Sequence, residues 1–373
     1  MLPAPKPHAP SLADVLPSCL ASIGAQPGTL DLPPAEKALV VLVDGLGADV
    51  LAARSGHART LARGLGRTTI IESGFPSTTA AGIASLTTGA LPGSHGLFGY
   101  SVLDPVRDRV VNQLSGWDSA MDPLTWQPLL TQFEVAVGNG WDAVAIGPRR
   151  YSDSGFTRAV LRGARYVAGE SVEDRVDRAL AWLRQPGPGI GYLYVPELDV
   201  VAHAKGVESV EWTAGLELVD LAVRRLVGGL GSRDGLIVTA DHGVLDVPRH
   251  AHVLVDEQEG LLDGVRHIAG EPRCLQLHLD ETVDLEVVLD RWRDAEGSRA
   301  WIASRAEVEA SGWWGPVAPS LSGRPGDVFV AARKAVAYYD SRTAGSARSM
   351  VGQHGSLSPA ELRVPLLRFG AFA

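Results

Sequence analysis

Cysteine is almost absent from this 373-residue chain: Cys19 and Cys274 are the only two, far apart and without metal-site spacing. That usage is compatible with a reducing cytosol. Also missing is any run of about 20 apolar residues that could span a bilayer. The opening, MLPAPKPHAPSLADVLPSCLASIG, is broken by prolines and has no continuous apolar stretch of the signal-peptide kind. Positive charge is in deficit, with 34 Lys and Arg against 43 Asp and Glu and a net charge of −9. Such a balance argues against non-specific binding of nucleic-acid polymers. The expectation is a soluble, cytoplasmic protein with small-molecule business.

What is present reads as a globular α/β protein, 45% hydrophobic and 21% charged. Its length suits one large domain with an insertion, or two domains sharing a core. Residues 1–34 form a Pro-rich segment, with one amphipathic piece near Leu12 to Ile23 expected to pack on the surface of the core. The continuous apolar run ALVVLV (Ala38 to Val43) predicts a buried parallel strand ending at Asp44-Gly45, and Ala48 to Arg54 then predicts a helix. The GLG that follows lacks the third glycine of a dinucleotide fingerprint. Further strands are expected at Thr68 to Glu72, Trp141 to Ile146, Gly191 to Val195 and Gly235 to Ala240. Helices are expected at Leu124 to Val137, Val172 to Leu183 and Glu208 to Leu230. Alternating strands and helices argue a doubly wound, mostly parallel sheet. The character changes over 246–348, read as a smaller α+β cap inserted into a core made of 35–245 and 349–373.

The stretch Phe75 to Leu97, FPSTTAAGIASLTTGALPGSHGL, sets Thr78 and Thr79 at the start of a predicted helix that Gly89 and Pro92 end. A hydroxyl there lies beside unpaired N–H groups and the positive end of the helix dipole, where an anion binds. Four other segments supply metal-ligand residue types. Asp44 closes the first strand. Asp199 and His203, four apart, share one face of a helical turn. Asp241 and His242 end an apolar strand before a glycine, and His354 stands between two glycines. These six ligands divide into two sets of three. A mixed carboxylate and imidazole set suits Zn²⁺, with Mn²⁺ or another divalent metal as the alternative. Two such metals about 3.5–4 Å apart clamp the attacking and leaving oxygens of a phosphoryl transfer.

Five of these segments, VLVDGLG, FPSTTAAGIASLTTGALPGSHG, PELDVVAHAKG, TADHGVLDV and GQHGSLSPAELRVPLL, run in one order from Val41 to Leu367. In that order they resemble the nucleotide pyrophosphatase/type I phosphodiesterase family of the alkaline phosphatase superfamily. The resemblance implies one zinc on Asp44, Asp241 and His242, shared with the nucleophile, and the other on Asp199, His203 and His354. Counting back from Thr88-Gly89, which matches the family's Thr-Gly, makes Thr79 the nucleophile and Thr78 a capping or orienting residue. Animal members carry an asparagine that helps hold a phosphate oxygen; the position matched to it is Gly82, so Thr78 and Gly82 are the substrate-side candidates. The Cys/Ser-x-Pro-x-Arg segment of sulfatases is lacking. The implied activity is two-metal hydrolysis of a phosphodiester or nucleotide pyrophosphate through a covalent phosphothreonine. A phosphomonoesterase, a phosphonoacetate-type phosphonate hydrolase and an inactive metal- or nucleotide-binding protein are the alternatives. The sequence leaves the oligomeric state open.

Among other conspicuous residues, His95 is expected to buttress the loop after the threonine helix. Trp313-Trp314 reads as packing, with stacking on a nucleobase as its rival. Arg149 and Arg150 read as a surface charge pair, with a substrate phosphate as their rival partner.

Overall fold

The structure is a computed structural model that describes residues 2–342 and 345–373. In chain order the main strands are β1 (Lys37–Val43), β2 (Asp142–Gly147), β3 (Arg165–Ala168), β4 (Gly189–Val195) and β5 (Asp234–Thr239). They continue with β6 (Val265–Glu271), β7 (Cys274–Leu279), β8 (Ala300–Ser304), β9 (Val328–Ala332) and β10 (Leu367–Gly370). The helices that matter for the site are α1 (Val15–Ile23), α2 (Thr79–Thr88), α3 (Val172–Leu183), α4 (Glu197–Lys205) and α5 (Val210–Gly228).

β1 is buried along its whole length, as its unbroken apolar sequence requires of a strand covered on both faces. It lies inside a six-stranded sheet of order β10-β5-β1-β4-β2-β3. All neighbours pair parallel except β10, which runs antiparallel to β5 along the edge. Leu42 is in register with Thr239, and Val43 with Val195. The carboxyl ends of β1, β4 and β5 therefore finish side by side, where open α/β sheets place their ligand groups.

Three expectations are corrected here. Leu124 to Val137 is not one helix but two short ones, Pro123–Trp126 and Gln132–Gly138. Pro128 disfavours helical geometry at Gln127, which is extended (φ −114°, ψ 97°), and Thr131 caps the second helix, its hydroxyl accepting from Glu134 N at 3.2 Å. The strand at Ile70–Glu72 pairs with Arg363–Pro365 in a separate ribbon rather than with the central sheet. The amphipathic N-terminal piece sits deeper than expected: Leu12, Val15, Leu16 and Cys19 are fully buried in the main apolar cluster.

A second, four-stranded antiparallel sheet, order β6-β7-β9-β8, is built from the chain between β5 and β10. It has its own apolar cluster, in which Val288 and Trp292 of the helix Leu285–Glu296 are buried with Leu277, Val328 and Val330 of the sheet. A third cluster joins the two layers. Trp314 is fully buried there against Phe75, Phe98 and Phe329, so the tryptophan pair is packing. No helix among the described residues is long and apolar enough to cross a membrane.

Candidate metal centre and nucleophile

Two strand ends, a helix and a returning loop bring all six ligand candidates into two compact groups. Asp44, Asp241 and His242 offer ligand atoms that lie within 4.8 Å of one another, and so do Asp199, His203 and His354. In the first group His242 Nε2 is 3.3 Å from Asp44 Oδ1 and 3.7 Å from Asp241 Oδ2. In the second, His203 Nε2 is 3.1 Å and His354 Nε2 4.0 Å from the two oxygens of Asp199. The groups adjoin, since the rings of His242 and His354 stack with centroids 3.6 Å apart.

Each imidazole is oriented the same way. His203 Nδ1 donates to Gly352 O at 2.8 Å, His242 Nδ1 to Gly243 O at 3.1 Å and His354 Nδ1 to Ser77 O at 2.9 Å. A carbonyl on Nδ1 fixes the tautomer and leaves Nε2 facing inward with a lone pair, which is how metal-ligating histidines are held. The carboxylates show the complementary pattern: among the described residues, Asp44 Oδ1, Asp199 Oδ1 and Asp241 Oδ2 are buried with no hydrogen-bond donor. Three orphaned anionic oxygens in one buried place call for cations. The donor set, nitrogen and oxygen without sulfur, fits a borderline or hard divalent ion.

The electrostatics point the same way. Burial pushes Asp44 well above the usual carboxylate range, and the neighbouring Asp241 and Asp199 add to it. Burial likewise raises Asp241, against the pull of His242. Asp199 is also buried, yet His203, with His354 and His242, holds it below the usual range. His203 is held above the ordinary histidine value, Asp199 overcoming the effect of burial. His354 is pushed down by burial and by His242. Without a metal, protons do the charge compensation, so metal uptake must release them.

Gly45 shows why the loop after β1 has its sequence. Its φ of 72° suits glycine, and a Cβ there would lie 3.0 Å from Asp199 Oδ1. Its N–H also donates to Asp241 Oδ1 at 3.3 Å, so this one residue packs against both ligand groups.

Thr79 opens α2, with its Oγ1 3.1 Å from His242 Nε2. Thr78 is the N-cap, its Oγ1 accepting from Ala81 N at 3.4 Å. Its hydroxyl thus accepts at the helix start, as a capping residue does. Gly82, the other substrate-side candidate, packs tightly on a strand end. Its N–H bonds to Thr78 O at 2.8 Å, and a Cβ on it would lie 2.7 Å from Asp241 O. Glycine at 82 lets α2 press against the strand end that carries Asp241. His95 is buried: Nδ1 accepts from Leu97 N at 3.1 Å and Nε2 meets Ser85 Oγ at 3.0 Å, which buttresses the loop after α2. Arg149 is exposed and paired with Glu170.

The sequence reading missed a pocket whose lining includes Thr79 and Ile83. Its wall is aromatic, with Tyr151, Phe156, Tyr166, Tyr192 and Tyr194, and none of its lining residues is charged. Tyr194 also donates its hydroxyl to Asp44 Oδ2. The available signal was GYLYV in β4: two tyrosines two apart share a face, which is unusual in an otherwise apolar strand.

A doubly wound sheet with paired carboxylate and imidazole sets at its carboxyl edge, facing a helix that starts on threonine, defines an alkaline-phosphatase-like α/β protein. A model of the type I phosphodiesterase/nucleotide pyrophosphatase family matches residues 38–357. The chain belongs to that family, one of hydrolases acting on phosphoesters. An uncharacterized pyrophosphatase/phosphodiesterase of Schizosaccharomyces pombe is 27% identical over 200 residues, covering 50% of this chain. That match spans 40% of the yeast protein's own length. Among solved structures, murine ectonucleotide pyrophosphatase/phosphodiesterase 5, as an inactive variant in complex with AMP, has a TM-score of 0.70 at 17% identity. It covers 90% of this chain and 88% of that one. The human counterpart scores 0.69 at 18% identity with the same coverage. At such identities these two likenesses speak for the fold.

Proposed function

We propose that this protein hydrolyses a phosphodiester or a nucleotide pyrophosphate bond, with Thr79 as nucleophile. Asp44, Asp241, His242 and Thr79 hold one divalent ion and Asp199, His203 and His354 the other, zinc being the metal that the donor set fits best. The ions, when bound, supply the positive charge that activates the threonine hydroxyl and neutralises the phosphoryl oxygens. Thr79 Oγ attacks phosphorus in line, the bond to the leaving oxygen breaks, and a phosphothreonine ester remains on the enzyme. Water then cleaves that ester and returns the hydroxyl. The first turn of α2 offers backbone N–H groups without helical acceptors to a non-bridging oxygen, in place of a side chain at Gly82.

The observation that carries the reading is the uncharged, aromatic pocket at Thr79. A diester brings a second organic group that such a wall can hold, whereas a monoester dianion or a phosphonoacetate carboxylate needs a cation beside it. The test is bis-p-nitrophenyl phosphate beside p-nitrophenyl phosphate on zinc-loaded protein. Preference for the diester, abolished in Thr79→Ala, supports the reading. Preference for the monoester replaces it with a phosphomonoesterase, and two bound zincs without turnover of any phosphoester or phosphonate replaces it with a binding protein. The same reading treats 246–348 as an inserted cap on a core of 35–245 and 349–373, supported by its separate sheet and cluster. It also keeps the cytoplasmic assignment, for which the two buried, unbonded cysteines are the support.

A further inference from the structure

The tip of the β6–β7 hairpin, Glu271-Pro272-Arg273, reaches out of the antiparallel sheet to the segment that carries His354. Arg273 and Glu361 are both fully buried and face each other as a fork: Nη2 to Oε2 at 2.7 Å and Nε to Oε1 at 3.1 Å. The guanidinium also donates to Val336 O at 2.7 Å. The carboxylate is equally committed. Oε1 accepts from Ser356 N at 2.9 Å and Oε2 from Ser358 Oγ at 2.5 Å.

From Ser356 the connections run to the site within two residues. Ser77 Oγ donates to Ser356 O at 2.7 Å and accepts from Gly355 N at 3.2 Å, and Ser77 O holds His354 Nδ1. Ser77 itself precedes Thr79 by two residues. Glu271 adds a wedge beside this loop: a Cβ on Gly355 would fall 2.4 Å from Glu271 Cγ, and Glu271 Oε2 accepts from Tyr100 N at 3.1 Å. The link to the other ligand group is different in kind. Gly243 N, next to His242, donates to the main-chain oxygen of Glu361 at 2.8 Å. That bond does not depend on the side chain at 361.

We propose that Arg273 and Glu361 are positioning residues for the metal site held by Asp199, His203 and His354, so that the antiparallel sheet sets the place of His354. A buried, fully bonded ion pair is a poor source of stability, since apolar pairs of similar volume replace such pairs at little cost or with a gain. What a fork does supply is fixed geometry. The side-chain bond to Ser356 N lies two residues from the ligand His354, whereas the contact beside His242 runs through the main chain of Glu361, so the larger effect falls on the His354 group. This inference rests on the two-metal reading above.

The test is a zinc titration of metal-free protein, followed by calorimetry, with thermal unfolding measured alongside. Wild type takes up two equivalents and His354→Ala one tightly. The double variant Arg273→Met/Glu361→Leu is expected to unfold within a few degrees of wild type and to keep one zinc at unchanged affinity. Its second zinc weakens by about tenfold or more, as loss of an outer partner does. Arg273→Lys, which keeps the charge but loses the fork, weakens the same site to a lesser degree, and serves if the double variant does not fold. Two sites at wild-type affinity in the double variant, or in Arg273→Lys where only that variant folds, overturn the inference and leave the two-metal reading standing. So does equal weakening of both sites, which reports general loosening. A wild-type protein that takes up no zinc, or one equivalent, overturns both.

Discussion

The two ligand groups have nearly the same residue types and opposite electrostatic situations. Asp44, Asp241 and His242 sit on strand ends, essentially without exposure, with two carboxylates to one imidazole. Asp199, His203 and His354 come from a helix and a returning loop, with one carboxylate to two imidazoles, and both histidines keep partial access to solvent. In the strand-end group burial and like charge drive the carboxylates upward. In the helix-and-loop group histidines draw Asp199 down. A rigid, anionic, dry place binds a divalent ion in earnest, whereas a place already half compensated by its own imidazoles binds one less tightly and exchanges it more readily. The contrast predicts two sites of unequal affinity, the tighter one at Asp44, Asp241 and His242.

The largest expected effect falls on neither group. Thr79→Ala leaves all six carboxylate and imidazole ligands in place and removes the nucleophile, so kcat for a diester falls by at least about 10³-fold while two zincs remain bound. Turnover within tenfold of wild type, measured on variant whose metal content has been checked, ends the assignment of Thr79.

Next in size are substitutions that set the groups against each other. Asp241→Asn loses the strand-end zinc, and the metal-free protein gains stability, by about 1–2 kcal/mol, because a crowded buried carboxylate has gone. His203→Ala loses the other zinc and destabilises the metal-free protein by a similar amount, because Asp199 is left without its nearest partner. Denaturant unfolding of the two metal-free variants gives the signs. If both move in the same direction, the contrast between the groups is wrong.

Smaller again is Tyr194→Phe, which leaves Asp44 Oδ2 without its donor. Zinc in the strand-end group is expected to weaken by about tenfold, with the helix-and-loop site unchanged. A competition titration with a chelator resolves the two sites.

How much of this was legible in the sequence follows from which interactions are local. β1 is an unbroken apolar run and α3 an amphipathic stretch with Ser171 as its cap, and the structure gives α3 the bounds Val172–Leu183 that the pattern gives. The ligand candidates were legible because strand ends and a four-residue spacing are local signals. Their grouping came only through resemblance, since register between β1, β4 and β5 is not written in any one segment. Leu124 to Val137 misled because apolar periodicity runs through Pro128, whose backbone constraint outweighs it. What stands opposite Gly82, the backbone of Asp241, was not legible, because a position matched by spacing says nothing of its neighbours in space. The pocket at Thr79 is assembled from widely separated stretches of chain, which no periodicity joins.

Comparing the two groups by pH requires a background free of the fold's own titration, and His95 is part of that background. It is fully buried, and burial, with Arg324 adding, lowers it from 6.5 to about 3. In the folded chain it stays neutral, accepting from Leu97 N, while in the unfolded chain it takes up a proton near its ordinary value. A folded value below the unfolded one means that the stability is fully present above about pH 6.5 and is lost progressively as pH falls from 6.5 towards 3. At pH 5.5 the loss relative to pH 7.5 is about 1 kcal/mol. His95→Gln keeps a group able to meet Ser85 and cannot titrate. It is expected to lower stability at pH 7.5 and to flatten the fall between pH 7.5 and 5.5 by that amount, with zinc binding at both sites untouched. An unchanged slope in denaturant unfolding of the metal-free variant assigns the acid sensitivity to the ligand groups instead, and the contrast between them then accounts for all of it.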